Sequence, residues 1–591
     1  MQIIYKNKPL ERVLIGANAL AAAVVVASFV LLFGFDKPLL QAWFLYTVQV
    51  VLLSVFVAEK IIRMFNAVSK SEFLRANWFE IPLLLLLGIT VIGAGRWYAP
   101  TKPESAEVRH FAVGLYLVVQ VIAKLCRTSI DVAASGRNPT RALIASFLVL
   151  IFSGAGLLML PAASAEGKES LSFIDALFTA TSGTCVTGLI VKDTGQDFSM
   201  MGQFVILTLI QLGGLGIVVF GAVFAFLLSQ ASLRERVAMQ DLLSAQTISR
   251  IGKMIGFVFF STILIEAVGA LSLLGMWTDE IHNKWFCSIF HSISAFCNAG
   301  FSLFSSSFVD YNRCWQVFLV ICPLIVFGGL GFSVLYDLVN IAADRIKRFF
   351  KKWFCKQYRL SMGAPKRMRL QTKIVLSVSA FLIVLGALAI LLFERYASGP
   401  GSHIENTITN ALFQSITART AGFNTVDIAA MSPSSRFILI LLMFIGGSPG
   451  STAGGIKTVT LAVIIMTTIA ALRKRQEVEL FRRSVRVVVV GRAVTVTLLF
   501  VTVLFCGTLV LSITENSNCF TMSDIMFEAA SALGTVGLTT GITPLLTTAG
   551  KLIIIAMMLI GRLGPLTLLA ALTFNLKPAR YNYPQEAVIV G

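Results

Sequence analysis

The sequence predicts an all-α polytopic membrane protein. Four pseudo-symmetric helix–loop–helix repeats surround one axis, and four extra N-terminal transmembrane helices precede them. Three observations carry that expectation. First, apolar stretches long enough to cross a bilayer recur from end to end. Of 591 residues, 56% are hydrophobic and 13% charged, with a mean hydropathy of +0.82, against about 25% charged in a soluble domain. Second, a glycine-bearing tetrapeptide recurs four times at near-even spacing. Third, the net charge of +19 is gathered into short loops between apolar runs. That is the positive-inside pattern of a membrane protein, not a nucleic-acid-binding surface.

The N-terminal part reads as four spans, at 13–33, 39–62, 78–95 and 109–127. The first lacks a small-residue cleavage motif and reads as a retained helix rather than a signal peptide. Loop 59–75 carries Lys60, Arg63, Lys70 and Arg75, so it is expected on the cytoplasmic side, and loop 99–107 outside. Glu59, Lys60 and Arg63 loosely resemble a voltage-sensing bundle. The fourth span, however, lacks regularly spaced arginines and offers only Lys124 and Arg127. With so few charges the membrane field does little work, and a packing or lipid-facing role is expected.

From about residue 140 an order repeats: an apolar span, a run too short to cross, a glycine tetrapeptide, and a second apolar span. The first spans are 142–161, 254–277, 374–394 and 490–513. The short runs are 173–184, 285–296, 405–418 and 523–533. The second spans are 203–229, 315–343, 434–471 and 551–576. The tetrapeptides are Val186-Thr187-Gly188-Leu189, Asn298-Ala299-Gly300-Phe301, Thr420-Ala421-Gly422-Phe423 and Thr535-Val536-Gly537-Leu538. Their glycines are 112, 122 and 115 residues apart. A Phe-polar pair precedes each: Phe178-Thr179, Phe290-His291, Phe413-Gln414 and Phe527-Glu528. Three of the pairs share one offset and the third slips by a residue. The phenylalanines read as core. These units divide the chain into an N-terminal bundle (1–135) and repeats at 136–245, 246–365, 366–485 and 486–591. Eleven Lys or Arg stand against Asp344 in 344–373, and six arginines or lysines in 473–486. This orientation places both termini inside.

Non-helical backbone at membrane depth leaves carbonyls without helical partners, which costs several kcal/mol each unless protein or a bound species satisfies them. Four such loops about one axis supply carbonyls that replace the water shell of a cation. Glycine suits the backbone angles that turn carbonyls inward. Glycine in all four units favours a full ring for a large, weakly hydrated cation, hence K⁺ over Na⁺.

CVTGL at 185–189, FCNAGFSLF at 296–304, TARTAGFNT at 417–425 and GTVGLTTG at 534–541 resemble the four filter segments of the Trk/Ktr/HKT potassium transporters. The resemblance covers about residues 140–577. It implies four units of outer helix, pore helix, filter loop and inner helix, and a homodimer with one pore per subunit. It also implies K⁺ selectivity, because many Na⁺-preferring plant members have Ser where this chain has Gly188. Val186, Thr187, Gly188, Asn298, Ala299, Gly300, Thr420, Ala421, Gly422, Thr535, Val536 and Gly537 would be the K⁺ site. The family pairs with a separate cytosolic nucleotide-binding (TrkA/KtrA-like) subunit. Nucleotide regulation is therefore expected only through that subunit, and this chain is expected to bind no cofactor. The basic loops would dock that subunit or anionic lipid. A bacterial inner-membrane location is expected.

Span 434–471 is interrupted by Gly446, Gly447, Ser448, Pro449, Gly450, Ser451, Thr452, Ala453, Gly454 and Gly455. A phosphate-binding loop would need Lys at Ile456, and no strand precedes the segment. It reads as a flexible break lining a cavity, and the resemblance makes it a gating loop under the filter. Arg562, mid-span, is a functional candidate by its cost in the membrane, and the family places an arginine there beside that loop. Arg419 is expected to brace the pore loop against Glu528 or Asp524. The alternative is a Na⁺- or H⁺-coupled secondary transporter, which needs a midplane titratable group; Glu266, Glu528 and Arg562 qualify. An enzyme is not expected, since His110, His282, His291 and His403 form no catalytic set. Nine cysteines, mostly in apolar segments, do not suggest a disulfide framework.

Overall fold

The computed structural model describes residues 6–35, 40–71, 113, 116–117, 139–216, 248–278, 281, 283–354, 365–397, 408–475, 477–516, 520–565 and 569. The expected spans at 78–95 and 109–127, apart from residues 113, 116 and 117, lie outside them, as does much of the second span of the first set. Two helices, α1 (Lys8–Phe33) and α2 (Ala42–Asn66), open the chain. Asn7 caps α1 by accepting from Leu10 N. Ala21 and Val25 pack on Leu52, Phe56, Tyr116 and Leu117. Residues 59–66, expected in a loop, are the last turns of α2. There Arg63 pairs with Glu59 at 2.6 Å and with Glu11 at 3.3 Å, so both acids of this helix pair find a cation.

The remaining helices follow one order four times. The first set is α3 (Pro139–Leu158), α4 (Phe173–Cys185) and α5 (Met200–Leu215). The second is α6 (Ile248–Leu273), α7 (Lys284–Cys297), a π-helical turn (Val317–Ile321), α8 (Cys322–Leu330) and α9 (Phe332–Phe354). The third is α10 (Leu370–Ala397), α11 (Ile408–Thr417), α12 (Pro433–Phe444) and α13 (Thr458–Leu472). The fourth is α14 (Val487–Thr514), α15 (Met522–Gly534) and α16 (Thr548–Leu563). Five helices among the described residues are long and apolar enough to cross a membrane, and α8 with α9 would add a broken sixth.

The short helices start where a side chain satisfies an orphan N–H. Ser172 accepts from Asp175 N, Asn283 from Phe286 N and Thr521 from Asp524 N, each worth about 1 kcal/mol. Their four phenylalanines, Phe178, Phe290, Phe413 and Phe527, are fully buried. Burying each contributes about 2–3 kcal/mol. The long first helices face the other way. On α10, Phe381, Val384, Leu385, Leu388 and Leu392 are exposed at helical spacing, and on α14 so are Val494, Leu498, Phe505, Leu509 and Ile513. An apolar stripe outside a packed core is the surface a helix offers to lipid.

Two expectations need correction. The span at 315–343 is not one helix: it breaks at Gly331 and turns by 105°. The segment 473–486, expected as an irregular basic loop in an all-α chain, contains an antiparallel hairpin, β1 (Val478–Leu480) with β2 (Arg483–Val485). Phe481 and Arg482, both at positive φ, form its turn, the geometry that fits strand twist.

Candidate functional site

Three of the tetrapeptides follow directly on α4, α7 and α15, the third follows α11 after Ala418 and Arg419, and the four meet. Glycine side-by-side packing closes the circuit. A Cβ on Gly188 would strike Ala299 O, and one on Gly300 would lie 2.7 Å from Ala421 O. One on Gly422 would strike Val536 O, and one on Gly537 would strike Thr187 O. Each glycine thus backs onto the backbone of the next tetrapeptide, and the fourth returns to the first. Their φ values are 94°, 69°, 84° and 92°, which a side chain resists. A Cβ would therefore be excluded twice, by conformation and by space.

The first residue of each tetrapeptide is left-handed, which the sequence did not reveal, and in the three β-branched cases, Val186, Thr420 and Thr535, this adds strain. Val186, Asn298, Thr420 and Thr535 have φ of 58°, 60°, 75° and 53°. Left-handed backbone at a β-branched residue is an outlier that costs about 1–3 kcal/mol and persists only when its surroundings hold it. The holding groups are visible. Thr187 N and Gly188 N donate to Ser182 O and Oγ at 2.8 and 3.1 Å. Val536 N and Gly537 N donate to Ser531 O and Oγ at the same distances. In the second set Ala299 N donates to Ser294 O, and Ser294 Oγ donates to Phe301 O. In the third, Ala421 N donates to Thr417 O and Thr417 Oγ1 to Phe423 O.

These four hydroxyl residues, which hold the tetrapeptide backbones, are not among the site residues expected from the sequence. The signal was present: Ser182, Ser294 and Ser531 each stand six residues before their glycine, and Thr417 five before its own. The one-residue slip is the same as that of Phe413. Because the N–H groups turn back to the short helices, the intervening carbonyls of Thr187, Ala299, Ala421 and Val536 are free of helical partners. The C-terminal ends of four helices also converge here, and each carries a partial negative charge of about half an electron. The ring is thus a cluster of carbonyl dipoles and helix C-termini, suited to a cation.

The glycine-rich segment 446–455 separates α12 from α13. A parallel bridge between Ile445 and Ile456 pinches its ends together. It lies on the second set: Ser448 N donates to Gly329 O at 2.9 Å, Phe332 N to Gly450 O at 3.0 Å, and Thr452 Oγ1 to Phe296 O at 3.3 Å. Gly454 abuts Thr535 of the fourth tetrapeptide. Arg562 sits in the last turn of α16, not mid-helix, since Gly564 ends that helix. Its guanidinium donates to Thr452 O and to Gly213 O, joining the segment to the first and fourth sets.

Other expected contacts are not formed. Arg419 reaches Ser379, donating to its carbonyl and, at 3.1 Å, to its hydroxyl. It does not reach Glu528 or Asp524. Asp524 instead pairs with Arg436 at 2.9 Å, and Asp175 pairs with Lys551 at 2.7 Å. Both pairs tie the start of a short helix to the start of a neighbouring second helix. Glu528 accepts from Thr543, and Glu266 accepts from Gln211 at 3.2 Å. Each carboxyl thus has a local partner.

Comparison with known proteins agrees with this geometry. A family model described as TrkH, cation transport protein, matches residues 106–581. The chain is 37% identical over 465 residues to the potassium/sodium uptake protein NtpJ of Enterococcus hirae, covering 77% of this chain and 97% of that one. It is 39% identical over 461 residues to the Ktr system potassium uptake protein B of Bacillus subtilis, with the same coverage. The crystal structure of the potassium transporter TrkH from Vibrio parahaemolyticus shares the fold, with a TM-score of 0.57 at 19% identity over 84% of this chain and 98% of that one. A largely helical membrane protein with these matches belongs to the TrkH family of cation transport proteins, within the Trk/Ktr/HKT superfamily.

Proposed function

We propose that this chain is the potassium-translocating subunit of a Trk/Ktr-type uptake system. It works as a channel-like pathway with a carbonyl selectivity filter and an intramembrane gating loop. The observation that carries the reading is the closed circuit of glycine-to-carbonyl contacts among residues 186–188, 298–300, 420–422 and 535–537. Dehydrating a cation is costly, and ordered carbonyls repay it without side-chain charge. The four sets act as pseudo-symmetric pore repeats about one axis, at 136–245, 246–365, 366–485 and 486–591, behind an N-terminal bundle at 1–135. Segment 446–455 is the gate, with Arg562 as its catch. The subunit is a homodimer in the bacterial inner membrane with both termini cytoplasmic. A cytosolic nucleotide-binding subunit regulates it, as the system named for the Bacillus relative suggests.

A second reading, Na⁺- or H⁺-coupled secondary transport, draws on the potassium/sodium name of the Enterococcus relative. Against it, Glu266 and Glu528 are each buried and already accept from a local partner, Gln211 and Thr543. The test is flux of K⁺, Rb⁺ and Na⁺ in liposomes containing wild type and Gly188→Ser. The mutant is expected to lose its preference for K⁺ over Na⁺ by about tenfold or more, as a poorly accommodated Cβ costs over 1 kcal/mol. An unchanged preference removes the filter assignment. Deleting residues 448–454 is expected to raise flux through the isolated subunit. Unchanged flux removes the gate assignment and leaves the filter standing.

A further inference from the structure

Lys457 enters none of the roles assigned so far. It is the N-cap residue of α13. A cation there faces the positive end of the helix dipole, so the position is electrostatically unfavourable. Among the described residues no carboxylate pairs with it. Its side chain instead folds back, and Nζ donates to Ala453 O at 2.7 Å and to Gly454 O at 3.2 Å. Arg562 donates to the preceding carbonyl, Thr452 O. Three consecutive carbonyls of the glycine-rich segment are therefore each held by a cationic side chain, two by Lys457 and one by Arg562.

These carbonyls belong to irregular backbone beside the ring, where Gly454 touches Thr535. They have the chemistry of the ring carbonyls. A permeating cation passing the segment would meet the same acceptors that the ammonium and guanidinium now occupy. We propose that Lys457 is a tethered cation that latches the gating segment closed, holding carbonyls 453 and 454 that a permeating K⁺ competes for. This rests on the gating reading of 446–455. Arg562 is the catch in trans, reaching across from α16. Lys457 is the catch in cis, keeping the C-terminal half of the segment in one shape so that Arg562 meets Thr452. Ser448 Oγ, 3.2 Å from Thr458 Oγ1, pins the other half. The two cations sit on consecutive carbonyls, Lys457 on Ala453 O and Arg562 on Thr452 O, so the closed segment keeps like charges together, and releasing either one favours opening.

The experiment is K⁺ flux through the full-length subunit in liposomes, with wild type, Lys457→Met, Lys457→Gln, Lys457→Arg and the 448–454 deletion. Lys457→Met keeps the stem and removes the charge. It is expected to raise flux at low K⁺ by about tenfold, the scale of losing charge-assisted hydrogen bonds. It should also lower the K⁺ concentration for half-maximal flux, since the ion no longer displaces an ammonium. Lys457→Arg should stay near wild type on both measures. A packing role alone would not discriminate Arg from Met in this way, and Lys457→Gln supplies the neutral variant should Met fail to fold. If both neutral variants leave flux and half-saturation as in wild type while the deletion raises flux, the latch is overturned and the gate stands. If Lys457→Arg opens the pathway as far as Met does, the charge is not what holds the segment and the latch is likewise overturned. If the deletion also changes nothing, the gating reading itself has failed.

Discussion

The second helices of the four sets end in two different ways. In three of them a single glycine makes the corner. Gly216, Gly331 and Gly564 have φ of 72°, 88° and 83° with ψ of 131°, 141° and 136°, a region that side chains avoid. In the third, ten residues from Gly446 to Gly455 do the same work. The corners preserve a common packing. Three residues before each, Gly213, Gly328 and Gly561 press against Thr184 O, Phe296 O and Leu533 O at the end of a short helix. In the third set Gly446 presses instead on its own segment, at Gly454. A one-residue corner has no freedom of its own. A ten-residue break is held instead by individual polar contacts to two neighbouring sets, the second and the fourth. This one asymmetric element in an otherwise fourfold arrangement is the reason the segment is proposed as the gate.

That contrast can be broken or sharpened by adding one methyl group at chosen glycines and measuring the melting temperature of the purified protein. The largest loss is expected for Gly561→Ala. Its Cβ would strike Leu533 O, a backbone atom that cannot step aside without moving the ring, so about 3 kcal/mol or more is expected. A small effect there would mean the helix-to-helix contact is loose and the corners are not rigid. Gly331→Ala comes next. Its corner angles and the Pro449 carbonyl 2.7 Å from the added Cβ should together cost about 2–3 kcal/mol. This site joins a rigid corner to the flexible segment, so it should also raise flux. A stability loss with no change in flux would uncouple the two. Gly450→Ala is expected to be mildest. It has φ of 72° but nothing within 4 Å of the added Cβ, leaving about 1 kcal/mol of backbone strain. A loss as large as at Gly561 would show that the segment is packed as tightly as the corners.

Much of this was legible in the residues. The tetrapeptides, their order and the Gly-rich break could be read because glycine spacing and hydropathy are local properties of a chain. The break at Gly331 was hidden for the opposite reason: CPLIVFGGLGFSVLY is apolar throughout, and hydropathy does not register a corner inside an apolar run. Arg419 was assigned the wrong partner because several acids lay within plausible reach, and only packing selects among them. Lys457 does not stand out in the sequence, since nothing in its neighbours shows that its stem folds back onto Ala453 and Gly454.

The sequence by itself determined a polytopic membrane chain with four glycine tetrapeptides, since periodicity, charge and residue type dictate which segments enter lipid and where backbone can turn. Only the tertiary structure decided that each tetrapeptide backs onto the next, that Val186, Asn298, Thr420 and Thr535 take left-handed backbone, and that Lys457 and Arg562 converge on residues 452–454. The reason is physical. Contacts between loops and between Arg562 and carbonyls more than a hundred residues away depend on helix packing, and the fold-back of Lys457 depends on the shape of its segment, neither of which hydropathy or spacing encodes.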